Sequence, residues 1–370
     1  MGKFLKTGHS PDHFLLALIF ILTAFGLAML ASASSDLGKI KFNDTYYYLK
    51  HQIYYGLSVG IAGFLTGYFM HYQRLRKFAF PLLLLGIVAL ALVFTHFGLQ
   101  IRNTNRWLRL GPISFQPAEL MKLFFIVYLA AWLSSTRTKR AKDIETGLLP
   151  FALISGFIAT LLILQPSTST MAILLGTGLI VYVLSGAGLK YVLVTFLIGV
   201  IALGVVIYAT PYRKARILGF LNSQSDTQGQ NYHINQALIA IGSGGLTGVG
   251  YGQSATKVSY LPAPIDDSIF AVIAEELGLA GAGGLVVLFG ALVLRLFWLA
   301  KKTRDRFGQL LLIGFGTIIA FQSIVNMAAI SGLLPLTGVP LPFISYGGTA
   351  LAVFLTMMGI AANVSKYTSS

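Results

Sequence analysis

The sequence contains no cysteine and few charged residues. Of its 370 residues, 12 are acidic and 27 are basic, so charged residues make up 11%, against about a quarter in an average soluble domain. The absence of cysteine excludes disulfide bonds, thiolate metal sites and cysteine nucleophiles. Low charge, with 55% hydrophobic residues and a mean hydropathy of +0.75, excludes an ordinary water-soluble protein. The net charge of +15 does not indicate nucleic-acid binding, because the basic residues are scattered between apolar blocks.

Long apolar segments follow one another along the chain. A helix needs about 20 predominantly apolar residues to cross roughly 30 Å of hydrocarbon. The fourth and eighth segments are weaker by hydropathy, because they contain Glu119 with Lys122 and Glu275 with Glu276. The sequence therefore predicts an all-α, polytopic membrane protein, with about ten transmembrane helices in a single membrane domain over residues 1–370. The predicted spans lie near residues 14–33, 52–70, 78–97, 118–134, 148–165, 170–187, 189–209, 269–299, 308–332 and 344–364.

Lysine and arginine are distributed unequally between the two sides. With ten spans both termini lie on one side, and the loops of that side hold more Lys and Arg than the opposite loops. Because such loops stay in the cytoplasm, both termini are predicted to be cytoplasmic. The longest polar segment, about 210–268 between spans 7 and 8, is then an extracytoplasmic loop.

Six basic residues of the outer side lie in two tight groups, although positive charge there opposes the insertion bias. The groups are Arg102, Arg106 and Arg109, and Arg213, Lys214 and Arg216. One interpretation is that these side chains extend to phospholipid headgroups. The other is a site for a phosphate-bearing ligand, because the guanidinium fork matches phosphate oxygens. Under the second interpretation Arg106, Arg213 and Arg216 are candidate substrate-binding residues.

Two segments outside the spans are rich in residues that break helices. Residues 241–252 contain six glycines in twelve positions, which can bring backbone amides close to an anion and makes Ser243 and Gly244 candidate substrate-binding residues. This segment matches neither the dinucleotide-binding nor the P-loop pattern, and a tight loop packed on the helices is the alternative. Residues 332–348 contain several prolines and glycines, which at membrane depth favours a cavity lining, with Ser345 as a candidate contact.

Two adjacent carboxylates precede the eighth span. Pro262 and Pro264 oppose a helix up to about residue 265, so Asp266, Asp267 or Ser268 can cap the helix that follows. A carboxylate at the mouth of a span can instead act as a general base that accepts a proton from a substrate hydroxyl. The residue types do not choose between the two aspartates, or between cap and base.

Other ionisable residues lie inside the predicted spans, where they must face a partner or a cavity. Glu119 and Lys122 have the i, i+3 spacing of a pair on one helix face. They either neutralise each other within the bundle or line a polar cavity. Glu275 and Glu276 are interpreted as protonated or hydrogen-bonded structural residues. The six histidines show no metal-ligand spacing.

Five motifs resemble the SEDS family (shape, elongation, division and sporulation), which includes FtsW and RodA. They are Asn105-Arg-Trp107, Gln116-Pro-Ala-Glu-Leu-Met-Lys122, and residues 232–252, 261–278 and 332–348. The resemblance implies a peptidoglycan glycosyltransferase that polymerises lipid II and works with a class B penicillin-binding protein, the transpeptidase. It also implies a bacterial plasma membrane protein that meets other membrane proteins of cell division or elongation. Residues 47–52, 211–213 and 321–329 are closer to FtsW patterns than to RodA patterns.

The family's essential acidic residue falls on Asp267, and its intramembrane pair falls on Glu119 and Lys122. As the base, Asp267 would deprotonate the C4 hydroxyl of the acceptor GlcNAc, which then displaces polyprenyl pyrophosphate from C1 of the donor MurNAc. This single displacement inverts the anomeric centre and needs one base. The leaving-group charge would be met by the outer arginines, or by Mg²⁺ or Mn²⁺ bridging Asp267 and the pyrophosphate. No other cofactor is expected.

The chain departs from the family pattern in two places. Where the family commonly has Glu and His before the acidic residue, this chain has Ala263 and Ile265, so a role for that His in orienting the base is in doubt. After Gln165-Pro166, the usual Asp-Leu-Gly is replaced by Ser167-Thr-Ser169. This second change indicates a divergent lineage and not a lost activity, because Asp267 remains.

Two other functions would also use many spans, an ion pair and a polar cavity. One is a transporter that flips lipid II across the membrane, and the other is a scaffold that recruits the transpeptidase. Neither requires a base at the outer mouth, so substitution of Asp267 discriminates between them and the polymerase.

Overall fold

Helices form most of the chain, because long apolar runs in a membrane must pair their backbone groups within each segment. The computed structural model describes residues 9–101, 104–111, 113–135, 143–221 and 231–368. The described helices are α1 His13–Phe42, α2 Tyr47–His51, α3 Ser58–Phe69, α4 Leu75–Leu92, α5 Pro117–Leu133, α6 Leu149–Leu164, α7 Thr168–Leu184, α8 Leu189–Tyr208, α9 Pro211–Leu221, α10 Tyr232–Ser243, α11 Thr256–Ser259, α12 Ile269–Lys302, α13 Arg306–Ile330 and α14 Gly348–Ser365. Short π-helical turns over Gln52–Leu57 and Ile144–Leu148 lead into α3 and α6.

Each of the ten predicted spans coincides with a helix, which confirms the polytopic all-α architecture. Among the described residues, seven helical segments are long and apolar enough to cross a membrane, and they contain α1, α4, α6, α8, α12, α13 and α14. The other three predicted spans are shorter, since α5 and α7 have 17 residues each and α3 has 12 after its π-helical turn. Burial differs sharply among them. In α13, 78% of the most apolar window is buried, whereas none of the 20 residues of α8 is buried.

The two chain ends described by the structure meet at one end of the helix bundle. The amide of His9 donates to the carbonyl of Lys366 at 3.0 Å, and Thr303 forms an isolated antiparallel bridge with Thr368. This arrangement agrees with the even number of predicted spans. The cytoplasmic location of that end remains a prediction.

A small antiparallel sheet, which the sequence analysis did not anticipate, connects α4 to α5. Its strands are β1 Gly98–Ile101, β2 Thr104–Leu110 and β3 Ile113–Phe115, in the order β1-β2-β3. Arg106 and Arg109 lie on β2, whereas Arg102 lies outside the described residues. The predicted loop over 210–268 is also more ordered than expected, because it contains α9, α10 and α11.

The predicted eighth span is interrupted inside α12. Gly278 has φ 65° and ψ −165°, which is not helical, so Ile269–Leu277 forms a short helix before the longer one that follows. Backbone groups freed by the break pair with the glycine-rich segment: Leu279 donates to Gly245 at 2.9 Å, and Val249 donates to Glu275 at 3.0 Å. A Cβ on Gly278 would lie 2.4 Å from the amide nitrogen of Gly248, so only glycine permits this close approach.

Candidate active site

Residues 261–268, here called the acid-bearing turn, hold both candidate aspartates just before α12. Ala263 adopts a positive φ of 49°, and its carbonyl accepts from the amides of Asp266 at 3.1 Å and Ser268 at 3.3 Å. Ser268 is the N-cap residue of α12, and its own side chain makes no capping hydrogen bond. Asp267 lies one residue before this N-cap position.

The two aspartates lie in different surroundings. The half-buried Asp267 lies against the segment 332–348, because a Cβ on Gly338 would be 3.7 Å from its Oδ2 atom. Asp266 lies close enough to Tyr48 for its negative charge to add to the effect of burial, and together they raise the pKa of that tyrosine. The two aspartates, between which the residue types did not choose, therefore differ in their neighbours. Asp266 lies beside an aromatic side chain, and Asp267 lies beside the proline-rich segment.

The acid-bearing turn is fixed through its main chain. Asn326 on α13 donates from Nδ2 to the carbonyls of Asp267 and Val339, both at 2.8 Å. The amide of Tyr346 donates to the carbonyl of Ile265 at 2.8 Å. These bonds are made by backbone carbonyls, so the position of the turn is fixed through its main chain.

The predicted pair of α5 forms and reaches the same network. Lys122 Nζ lies 2.6 Å from Glu119 Oε1 and also donates to Gln322 Oε1 at 2.6 Å, with Lys122 fully buried. Gln322 in turn donates to the carbonyl of Pro340 at 2.8 Å. Since Gln322 and Asn326 lie one turn apart on α13, this face of the helix links the buried ion pair to the proline-rich segment beside Asp267.

Ser345 lies within that segment and uses its hydroxyl locally. The side chain is buried, and its Oγ accepts from the amide of Leu341 at 2.8 Å. The hydroxyl of Ser345, a predicted substrate contact, therefore accepts a hydrogen bond within a turn of its own segment.

The glycine-rich residues pack on the break in α12. The exposed Ser243 donates to the carbonyl of Ala240 at 2.8 Å, at the end of α10. Gly244 approaches α12 so closely that a Cβ would lie 1.9 Å from the carbonyl oxygen of Ala274. Because the amides of Val249 and Gly250 also pair with α12 at 3.0 Å each, the geometry favours the tight-loop interpretation over anion binding by these amides.

Two of the candidate arginines bind the carboxyl end of α6. Arg106 donates to the carbonyls of Gln165 at 3.0 Å and Pro166 at 2.5 Å, and Arg213 donates to the carbonyl of Ile163 at 2.9 Å. Carbonyls at a helix C-terminus carry partial negative charge, which attracts cations. Burial lowers the pKa of Arg213. Arg106 and Arg213, which are far apart in sequence, therefore meet at one end of α6.

The third candidate, Arg216, lines a cavity of about 390 Å³ between α9, α10 and the segment 332–348. Its Nη1 atom donates to the carbonyl of Leu336 at 3.2 Å. Asn231 also lines this cavity; it is 4% exposed, and its Nδ2 atom has no hydrogen-bond partner in the described structure. Asp267 is not among the residues that line the cavity. The residue after it, Ser268, contacts His233, which lies in the cavity wall.

His233 is the site residue that sequence reasoning missed. It lies on α10, and its Nε2 atom is 2.6 Å from Ser268 Oγ. The sequence carried no signal for this contact, since 34 residues separate His233 from Asp267 and no histidine spacing indicated a shared site.

Glu275 and Glu276 are both hydrogen-bonded within the protein. Glu275 accepts from Ser254 at 2.5 Å, from the amide of Ala255 at 3.1 Å, and from the hydroxyl of Thr256. Glu276 Oε1 accepts from Ser32 at 2.6 Å and forms an ion pair with Lys257 at 2.8 Å. These contacts tie α1, α11 and α12 together.

Comparisons with known proteins agree with this architecture. The family described as cell cycle protein, which comprises FtsW, RodA and SpoVE, matches residues 12–370. Stage V sporulation protein E of Bacillus subtilis is 35% identical over 97% of this chain and 98% of its own length. A probable peptidoglycan glycosyltransferase FtsW of Geobacter sulfurreducens is 36% identical over 99% and 98%.

Two solved structures extend the comparison to the fold. A chain from a study of how a peptidoglycan synthase complex coordinates polymerization and crosslinking has a TM-score of 0.81 at 29% identity, over 97% of this chain and 99% of that chain. RodA of Thermus thermophilus, solved as a variant with one aspartate replaced by alanine, has a TM-score of 0.71 at 28% identity, with the same coverage of both chains.

Proposed function

The chain belongs to the FtsW, RodA and SpoVE family of cell cycle proteins and is a multi-pass membrane peptidoglycan glycosyltransferase; from this premise we propose that Asp267 is its catalytic base. The observation that carries the proposal is the position of this carboxylate. Asp267 is half-buried and lies just before the N-cap residue of α12, its Oδ2 atom is 3.7 Å from a Cβ built on Gly338, and its backbone carbonyl anchors the turn to Asn326. A base needs this combination of a fixed main chain and an accessible side chain.

We propose lipid II as both donor and acceptor. Asp267 accepts the proton of the C4 hydroxyl of the acceptor GlcNAc, whose oxygen forms a bond to C1 of the donor MurNAc. The bond from C1 to the pyrophosphate oxygen breaks, and polyprenyl pyrophosphate leaves with the electron pair. One displacement inverts C1, so a second carboxylate as nucleophile is not required.

The leaving pyrophosphate is assigned to the cavity beside α9 and α10. Arg216 supplies positive charge and Asn231 an amide donor at its wall, which suits phosphate oxygens. Arg106 and Arg213 are assigned a supporting role, because their guanidinium groups already bind carbonyls of α6. No cluster of three or more His, Cys, Asp or Glu side chains that could hold a metal occurs among the described residues. A divalent cation would therefore take most of its ligands from the pyrophosphate and water.

We propose that the protein works in the bacterial plasma membrane with a class B penicillin-binding protein, with both termini in the cytoplasm. The similarity to a chain studied within a peptidoglycan synthase complex supports a partner of this kind. The site then lies on the extracytoplasmic side, because the acid-bearing turn and the chain termini lie at opposite ends of the bundle.

The decisive experiment is polymerisation of fluorescent lipid II by purified protein, with and without a co-purified transpeptidase. Asp267→Asn should lower the rate by about 10²- to 10⁴-fold, the usual contribution of a general base. Asp266→Asn is the matched control, since it changes the neighbouring carboxylate, and it should retain most of the activity.

Full polymerisation by Asp267→Asn would refute the assignment of the base. Transport of lipid II across vesicles that survives this substitution, without polymer from the wild type, would instead support a flippase. A protein that makes no polymer, yet recruits the transpeptidase equally well with either aspartate changed, would support a scaffold.

A further inference from the structure

A side-chain contact joins α10 to the acid-bearing turn. His233 Nε2 lies 2.6 Å from Ser268 Oγ, and the same hydroxyl lies 2.9 Å from the carbonyl of Pro262. A serine hydroxyl has one hydrogen, and a carbonyl can only accept. Ser268 therefore donates to Pro262 and accepts from His233, which fixes the proton of the imidazole on Nε2.

This contact acts on the end of the turn next to the proposed base. Ser268 is fully buried and lies directly after Asp267. Its two hydrogen bonds link the beginning of the turn at Pro262, the end of the turn, and α10. Ala263, with its positive φ, lies between the linked points, and such a conformation persists only where surrounding contacts hold it.

The residues immediately before Asp267 do not provide an imidazole in this chain. Ile265 is buried and apolar, and Ala263 has only a methyl group. His233 supplies an imidazole to the turn from a different helix. It also lines the cavity that contains Arg216, so one side chain connects the cavity wall to the residue beside the base.

We infer that His233 is a positioning residue for Asp267, acting through Ser268; this inference rests on the proposed function of Asp267 as the base. His233 holds the end of the acid-bearing turn so that the carboxylate remains directed at the segment around Gly338. A displacement of about 1 Å at a reacting group can lower a rate on the order of 100-fold. The effect therefore falls on the rate of the chemical step and not on substrate affinity.

The test is a double-mutant cycle on purified protein with fluorescent lipid II. Ser268→Ala should lower kcat on the order of 10- to 100-fold with little change in KM, and His233→Leu should lower kcat to a similar extent. The double variant should be no slower than the slower single variant, because both substitutions break the same contact. His233→Gln should recover most of the rate, since its amide can donate from a similar position.

Two controls separate positioning from a general loss of structure. Ile239→Ala changes an exposed residue of α10 and should leave kcat unchanged. Thermal unfolding in detergent should show that His233→Gln and Ser268→Ala remain folded at the assay temperature. Multiplicative losses in the cycle, full activity of His233→Leu, or a His233→Gln variant as slow as His233→Leu would overturn the inference.

The same assay distinguishes this inference from the proposed function. If Asp267→Asn is inactive while the losses in the cycle multiply, only the role of His233 fails. If Asp267→Asn remains active, both fail.

Discussion

The acid-bearing turn and the break in α12 place carboxylates only two helical turns apart, yet in contrasting environments. Before the helix, Asp267 is half-buried, and the turn is held by its backbone and by Ser268. At the break, Glu275 and Glu276 are at most 2% exposed and accept hydrogen bonds from α1 and from residues 254–257. The same functional group thus serves packing at one place and is proposed to act as the base at the other.

The difference lies in which atoms hold each region together. The break depends on the side chains of its acids, so that removing a partner leaves a charge or an acceptor buried without compensation. The anchors described above for the acid-bearing turn are main-chain carbonyls, which a change of its carboxylate leaves in place. Four substitutions test this contrast by the free energy of unfolding.

The largest effect is expected for Lys257→Met. Lys257 and Glu276 are almost fully buried and 2.8 Å apart, and breaking a buried ion pair typically costs about 3–5 kcal/mol. The measurement is denaturant unfolding of the detergent-solubilised protein. The double variant Lys257→Met with Glu276→Gln carries neither charge and should regain most of the lost stability; equal instability of both variants would contradict the explanation.

Gly278→Ala should be the next most destabilising substitution, because alanine does not readily adopt the backbone conformation of the break. Its φ of 65° and ψ of −165° belong to a region that non-glycine residues avoid, at a cost of about 1–3 kcal/mol. Gly283→Ala is a matched control further along α12, where a Cβ meets nothing within 4 Å. That control should be neutral or slightly stabilising, and equal losses for both would show that the break is not required.

A smaller loss, about 1–2 kcal/mol, is expected for Glu275→Gln. The hydroxyls of Ser254 and Thr256, which donate to Oε2, can reverse their hydrogen bonds toward the new amide group, and the backbone amide of Ala255 can still donate to the remaining oxygen. The loss is expected because hydrogen bonds to a charged acceptor are stronger than those to a neutral one. Thermal unfolding of the two proteins side by side measures the difference. An unchanged melting temperature would mean that the charge of Glu275 contributes nothing to the packing of α11.

The smallest change in stability is expected for the substitution with the greatest effect on activity, Asp267→Asn. Asparagine has the same shape, and the anchoring carbonyl to Asn326 remains, so the free energy of unfolding should change by no more than about 0.5 kcal/mol. The same unfolding assay applies. A loss as large as that of Glu275→Gln would make Asp267 a structural residue and remove the contrast.

The fold was largely predictable, because apolar runs of span length carry their own signal. The predicted pair of Glu119 and Lys122 also forms, since an i, i+3 spacing is local. The break at Gly278 was not predicted, because it depends on the glycine-rich segment around Gly248 packing against α12 from elsewhere in the chain. For the same reason His233 was missed: its contact with Ser268 joins residues 35 positions apart through tertiary packing.

The sheet of β1 to β3 escaped prediction for a different reason. Strands of four, seven and three residues are too short for a hydrophobic period to distinguish them from a loop. The partners of Arg106 and Arg213, carbonyls at the end of α6, could not be read from charge alone.

None of the 20 residues of α8 is buried, so substitutions along this helix can reveal contacts with molecules outside the chain. Exchanging one apolar side chain for another along it leaves no hole in the interior of the chain, so tolerance to leucine, valine or phenylalanine should be nearly uniform there. A position of α8 at which these three residues support cell growth unequally would therefore mark a contact with a lipid or with another protein.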